Sequence, residues 1–278
     1  MHKKLLIFLI VTLALGVGVV VVFLAEQVKE LGPSSTPTPT PTNQPNITVF
    51  SPTRGEEVIL PFVVLGQARV FENMLSVRLK EKDSGKVIFW SPVYANAPDA
   101  GQFGLFEQTI DYLTIKPAGE DVILEAYDNS AKDGSEIDLV SIPLKLSLNE
   151  TTAVKIFFNN SRLDPEFSCN KVFPVQRLIA KTQTPARKAL ELLLEGPSQD
   201  EKNQEFLTSI NSGVKIQSLT VQNGVAKVDF DEQLEYQIGG SCRVAAIRAQ
   251  ITETLKQFSS VKNVIISING RTEDILQP

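Results

Sequence analysis

The 278-residue chain holds one histidine, one tryptophan and two cysteines, and each scarcity removes a class of chemistry. The histidine is His2, ahead of a long apolar run, so histidine acid/base and nucleophilic catalysis are set aside. Cys169 and Cys242 leave no second pair of soft ligands for a structural zinc site. Beyond the first residues there is no basic cluster, and the net charge is −5, so nucleic acid is not an expected partner. No residue is assigned a catalytic, cofactor-binding or metal role, and no cofactor is expected.

What is present begins with membrane chemistry. Lys3 and Lys4 precede an uncharged apolar run from Leu5 to Ala25, long enough at helical rise to cross a hydrocarbon core of about 30 Å. A cleaved signal peptide has a shorter apolar region and a small-x-small site, whereas this run leaves through "VFLAEQVKEL", with neither that site nor a cysteine for lipid attachment. The sequence therefore predicts a transmembrane signal anchor over 5–25. Residues 1–4 stay cytoplasmic and everything after residue 26 lies outside. Residues 26–46 read as a Pro/Thr-rich linker, since "PSSTPTPTPTNQP" favours extended backbone that could hold the rest of the chain some ~40 Å from the bilayer.

Two textures follow. Over 47–149 short runs such as "FVVLGQARV", "LSVRLKE", "KVIFW" and "VILEAYD" alternate with turn signals. About seven strands without helical periodicity predict an antiparallel, immunoglobulin-like β-sandwich. No cysteine pair is available to staple its sheets.

Over 152–271 the reading is α+β, with two helices packed on one face of a small sheet. "AVKIFFNN" and "VQRLIAK" read as strands. In "TPARKALELLLEGPS", Thr184 suits the cap, Pro185 the first helical position, and Ala189, Leu190, Leu193 and Leu194 the apolar face; Gly196 and Pro197 end the helix. Asn223-Gly224 marks a two-residue hairpin that sets Val221 opposite Ala226 and Leu219 opposite Val228, with Phe230 extending the row. Val244, Ile247, Ile251, Leu255 and Phe258 then recur at helical spacing, with Arg243, Arg248, Gln250, Glu253 and Lys256 on the other side. "NVIISING" closes as a strand, and 272–278 reads as a tail.

"FPVQRLI", "ALELLLEGPS", "NGVAKVDF" and the helix leading into "VKNVIISING" resemble the GerMN domain of bacterial sporulation and germination proteins. "ITVFSPTRGEEVILPFVVLGQARVFE", with "AYDNSAKDGSE" later, resembles the immunoglobulin-like domain that accompanies GerMN. The resemblance implies the layout of ring-building domains, in which helices of one copy pack on the sheet of the next.

Several constellations invite a chemical reading. Cys242 and Arg248 match the Cys-x5-Arg spacing of phosphatases, but "RVAAI" between them has helical apolar spacing and no glycine to form an anion loop. Outside the cytoplasm Cys169 and Cys242 instead pair as a disulfide, closing a loop of about 73 residues. Asp229, Asp231 and Glu232 read as a strand running into an acidic loop rather than a catalytic pair. Asp128, Asp133 and Glu136 could be imagined around calcium, but they lack EF-hand spacing, and a hairpin turn explains Asp133-Gly134 as well. The sequons at Asn46, Asn149 and Asn159 read as loop positions, and Trp90 as sandwich core or sheet edge.

These readings predict a non-enzymatic, membrane-anchored, extracytoplasmic envelope protein that assembles with itself or with other envelope proteins. The interface is expected on the exposed sides of helices 185–195 and 241–258. A module binding peptidoglycan or another wall polymer is the alternative, and an extracytoplasmic enzyme ranks last.

Overall fold

The computed structural model describes residues 44–99, 101–166 and 168–277. The expected anchor at 5–25 and the linker up to residue 43 lie outside the described residues. Among the described residues no helix is long and apolar enough to cross a membrane.

The first half carries nine strands: β1 (Ile47–Ser51), β2 (Glu57–Ile59), β3 (Phe62–Ala68), β4 (Met74–Glu81), β5 (Val87–Tyr94), β6 (Gly104–Ile110), β7 (Tyr112–Leu113), β8 (Asp121–Asn129) and β9 (Glu136–Ser147). Eight of them form two sheets, ordered β1-β3-β6 and β2-β9-β8-β4-β5. All pairings are antiparallel except the short β2–β9 pair. Alternation drives this: β3 buries Phe62, Val64 and Ala68 and leaves Val63 and Leu65 outside. The inner residues join Val77, Leu79, Val122 and Leu124 in one core. Gly66 is required on β3, because a Cβ there would sit 2.4 Å from the Thr48 carbonyl oxygen and from the Phe106 ring.

The second half runs β10 (Thr151–Asn160), β11 (Phe173–Ala180), α1 (Pro185–Glu195), α2 (Gln199–Asn203), β12 (Phe206–Leu207), β13 (Ile216–Gln222), β14 (Val225–Phe230), α3 (Ser241–Lys256) and β15 (Asn263–Ile268). The hairpin has the expected register, Val221 facing Ala226 and Leu219 facing Val228. Asn223 and Gly224 both take positive φ, which the two-residue turn requires. β15 adds in parallel to β14. α1 buries Ala189, Leu190, Leu192 and Leu193 and ends at Gly196. Thr184 occupies the N-cap position but gives no side-chain cap; its hydroxyl meets that of Thr182.

Three expectations are corrected. The single small sheet is two, ordered β12-β10-β11-β7 and β13-β14-β15, and both share one core with α1 and α3. Gln250, expected on the outer side of α3, is fully buried, because α3 packs there against the paired ends of β10 and β12 and Gln250 bonds the Asn159 side chain, Thr208 and the Leu207 carbonyl. The segment 272–278 is not a free tail, since Ile275 and Leu276 are buried in the core. The two halves are also joined by a strand pair: β7, from the sandwich half, pairs with β11, setting Leu113 against Leu178 and Tyr112 against Ile179. Leu178 sits in the sandwich core and Tyr112 packs against both cores.

Candidate functional site

Cys169 and Cys242 are disulfide-bonded, with their Cα atoms 5.1 Å apart. Cys242 is the second residue of α3, and the bond ties that helix start to the loop after β10. Asn159 is not a loop residue. It is the penultimate residue of β10 and donates to the carbonyls of Cys169 (2.9 Å) and Lys171 (3.0 Å), while Gln250 donates to its oxygen at 2.7 Å. Arg248 points to the Ile275 carbonyl at 3.0 Å, so the Cys-x5-Arg spacing converges on nothing.

The acidic residues singled out in the sequence are each committed to a separate structural partner. Asp229 accepts from Ser267 Oγ and from the Gly270 N–H, and Asp231 from the Lys215 N–H. Glu232 accepts from Asn269, which holds its carboxyl below the usual range. Asp128 accepts from the Asn129 N–H, and Asp133 from Ser135. Glu136 pairs with Arg78. These bonds pin turns and strand ends, and they do not aim several carboxylates at one point.

Where the two halves meet, side chains of mixed chemistry from both surround open space. β5, the edge strand of the larger sandwich sheet, faces the α1–α2 junction across a cavity of about 340 Å³, whose lining includes Trp90, Tyr112, Thr114, Glu195, Ser198 and Lys202. A second cavity of about 330 Å³ shares Phe89, Trp90, Tyr112 and Glu195 and continues past Gln108 and Asp111. Trp90 is thus at a sheet edge, as one of its two sequence readings has it, and 42 % of its surface is exposed.

Its indole is held in place. Trp90 Nε1 donates to Tyr127 Oη at 3.2 Å, and the Arg78 guanidinium lies 4.4 Å above the Tyr127 ring. Arg78 is itself bound by Glu136 and Glu125, and the Glu136 bond first of all raises its already high pKa. Burial works against ionisation of Glu125, but Lys80 and Arg78 outweigh it and hold the carboxyl below its usual range. The charge of Arg78 is therefore largely neutralised locally.

Glu195 differs from these acids. It ends α1, keeps one side open to solvent, and has no ion-pair partner among the described residues, since Lys188 goes to Asp111 and Glu191. The surrounding protein, and then the charge of Asp111, push its carboxyl above the usual range, while Lys188 and a hydrogen bond with Tyr112 pull the other way. Burial, followed by the negative charge of Glu195, raises the Tyr112 hydroxyl too.

Sequence reasoning missed the pair that braces this junction. Arg177, on β11, donates twice to buried Glu201 (2.5 and 2.7 Å), and its guanidinium lies 5.6 Å from the Tyr112 ring centroid. Glu201 also closes a capping box with Ser198. The Ser-x-x-Glu signal directly after Gly196-Pro197 was there to be read.

Fold and groove together define a two-domain body: an immunoglobulin-like sandwich joined through a shared strand pair to an α+β domain. Residues 46–135 match the family described as the immunoglobulin-like domain of bacterial spore germination (Gmad2), and residues 155–274 match the family described as sporulation and spore germination (Germane). The chain is thus a Gmad2 domain followed by a Germane, or GerMN, domain. Its structure is similar to the tandem GerMN domains of the sporulation protein GerM from Bacillus subtilis, at 21 % identity and a TM-score of 0.35 over 44 % of this chain and 40 % of that one. The first GerMN domain of that protein matches at 21 % identity and 0.34, over 44 % of this chain and 85 % of that one. A putative lipoprotein from Clostridium perfringens matches at 14 % identity and 0.29, over 44 % and 76 %. No curated protein matches the chain.

Proposed function

We propose that this protein is a membrane-anchored, extracytoplasmic and non-enzymatic envelope scaffold of the sporulation and germination group, which assembles with itself or with other envelope proteins. The observation that carries this reading is the outer face of the β13-β14-β15 sheet. Ser218, Thr220, Gln222, Lys227, Asn263 and Ile265 all stand exposed on it, and no further layer of described residues covers it. The flanking strands β13 and β15 also end the sheet, leaving pairing edges open.

The expected helix faces are weaker candidates for an interface. α1 is partly covered where Lys188 bonds Asp111, and α3 buries seven of its side chains. The apolar segment 5–25 supports the membrane anchor by its length, and the disulfide fits an oxidising compartment.

Light scattering of the full chain in detergent, across a concentration series and corrected for bound detergent, tests the scaffold. A discrete oligomer that Ile265→Asp with Thr220→Arg dissociates is expected. A monomer at every concentration, together with failure to cross-link to any envelope protein in cells, overturns it. A second reading, a module holding a wall polysaccharide, is favoured by the exposed indole in the interdomain groove.

A further inference from the structure

We infer that the groove around Trp90 is a saccharide site for an amino sugar with a free ammonium group, Glu195 meeting the ammonium and Trp90 the face of the sugar ring. The inference rests on the wall-polysaccharide reading and names the chemistry of its ligand; it does not depend on self-assembly.

Three observations converge. First, Trp90 stands exposed while its Nε1 is tethered to Tyr127, so the ring is pre-positioned. A sugar's C–H face carries weakly positive hydrogens, which suit the negative face of an indole. Second, hydroxyl and amide side chains, Thr114, Ser198 and Gln199 in one cavity and Gln108 in the other, flank the ring and can pair with sugar hydroxyls. Sites of this kind combine an apolar floor with a few placed polar groups.

Third, Glu195 lines both cavities beside Trp90 and Tyr112 with no cation paired to it among the described residues. A carboxylate next to aromatic faces is the surrounding an ammonium group selects, through a charge-assisted bond and attraction to the rings. The charge of Arg78 is taken up by Glu125 and Glu136, so it offers a ligand anion little. An N-acetylated sugar presents no charge to Glu195 and leaves its carboxylate without a cation.

Trp90 is the only tryptophan of the chain, so its emission reports the site directly. The test titrates the full chain, in a polyoxyethylene detergent free of sugar and choline groups, with a glucosamine tetramer, its N-acetylated counterpart and tetralysine. Titration calorimetry accompanies each series, in mildly acidic buffer. The expected result is a saturable emission change, about tenfold tighter for the glucosamine tetramer than for the acetylated one, with that preference lost in Glu195→Gln. A single cooperative melting transition, no lower than that of the wild type, shows that the variant is folded.

Equal binding of both tetramers, or a preference that survives Glu195→Gln, overturns the ammonium assignment and leaves the polysaccharide reading standing. Tetralysine binding as tightly as the glucosamine tetramer overturns the sugar assignment. No saturable response to any of the three overturns the site, and the wall-polysaccharide reading with it.

Discussion

The side chain of Gln257, just past α3, completes the backbone pairing of Lys155 on β10, accepting from its N–H at 2.7 Å and donating to its carbonyl oxygen at 2.5 Å. One turn back, Thr254 accepts from the Phe157 N–H at 3.1 Å. One turn further, Gln250 bonds Asn159, Thr208 and the Leu207 carbonyl. Gln257 and Thr254 thus stand in for a neighbour strand beside Lys155 and Phe157, and Gln250 braces the point where β12 takes over that edge of β10. Buried backbone groups have to find partners, and here a helix supplies them.

Thr254→Val keeps the side-chain volume and removes the acceptor for Phe157. An expected loss of about 1–3 kcal/mol follows from leaving a buried donor unpaired, measured by urea denaturation. Thr252→Val, on a half-buried position of the same helix, is the control and is expected to change little.

Removing one partner of the buried Arg177–Glu201 pair strands the other charge in the core. Arg177→Met or Glu201→Gln is expected to destabilise by about 3–5 kcal/mol, and replacing both with apolar residues to recover much of that. A double-mutant cycle by chemical denaturation checks the coupling.

Reduction of Cys169–Cys242 opens a loop with a sequence separation of 73 residues. The chain-entropy account gives an upper figure of about 4 kcal/mol for the stability lost. Denaturation midpoints with and without reductant measure it, and Cys169→Ser with Cys242→Ser should behave as the reduced protein does.

Glu195 makes stability depend on pH in a defined direction. Its carboxyl is raised in the folded state, so between the ordinary carboxylate range and that raised value the native protein holds more proton than the unfolded chain. The contribution of Glu195 is greatest in acid and is lost as pH rises through the folded-state value. Relative to the wild type, Glu195→Gln should therefore melt progressively higher as pH rises through that window. The difference then stays constant, and melting curves from acid to neutral pH follow it.

Local signals told much of this fold because they were strong and complete. Pro185 with Gly196 bounded α1, Asn223-Gly224 fixed a register, and the alternation in "FVVLGQA" placed β3 with its correct inner face. The disulfide needed only the count of two cysteines and a compartment inferred from residues 5–25. By contrast Gln250 was misplaced, because helical periodicity cannot distinguish a polar residue facing water from one buried against polar groups of distant strands.

By itself the sequence determined the order of the longer elements of the second half, the hairpin register, most of the apolar faces of α1 and α3 and the cysteine pairing, since each rests on residues close in the chain or on a choice with one answer; it did not show β7, α2 or β12. Only the tertiary structure decided that β7 crosses over to pair with β11, that Arg177 and Glu201 meet in the core, and that Trp90 and Glu195 share one groove. Trp90 and Glu195 lie on different halves of the chain. Their meeting follows from how two cores share Leu178 and Tyr112, which no periodicity in either half encodes.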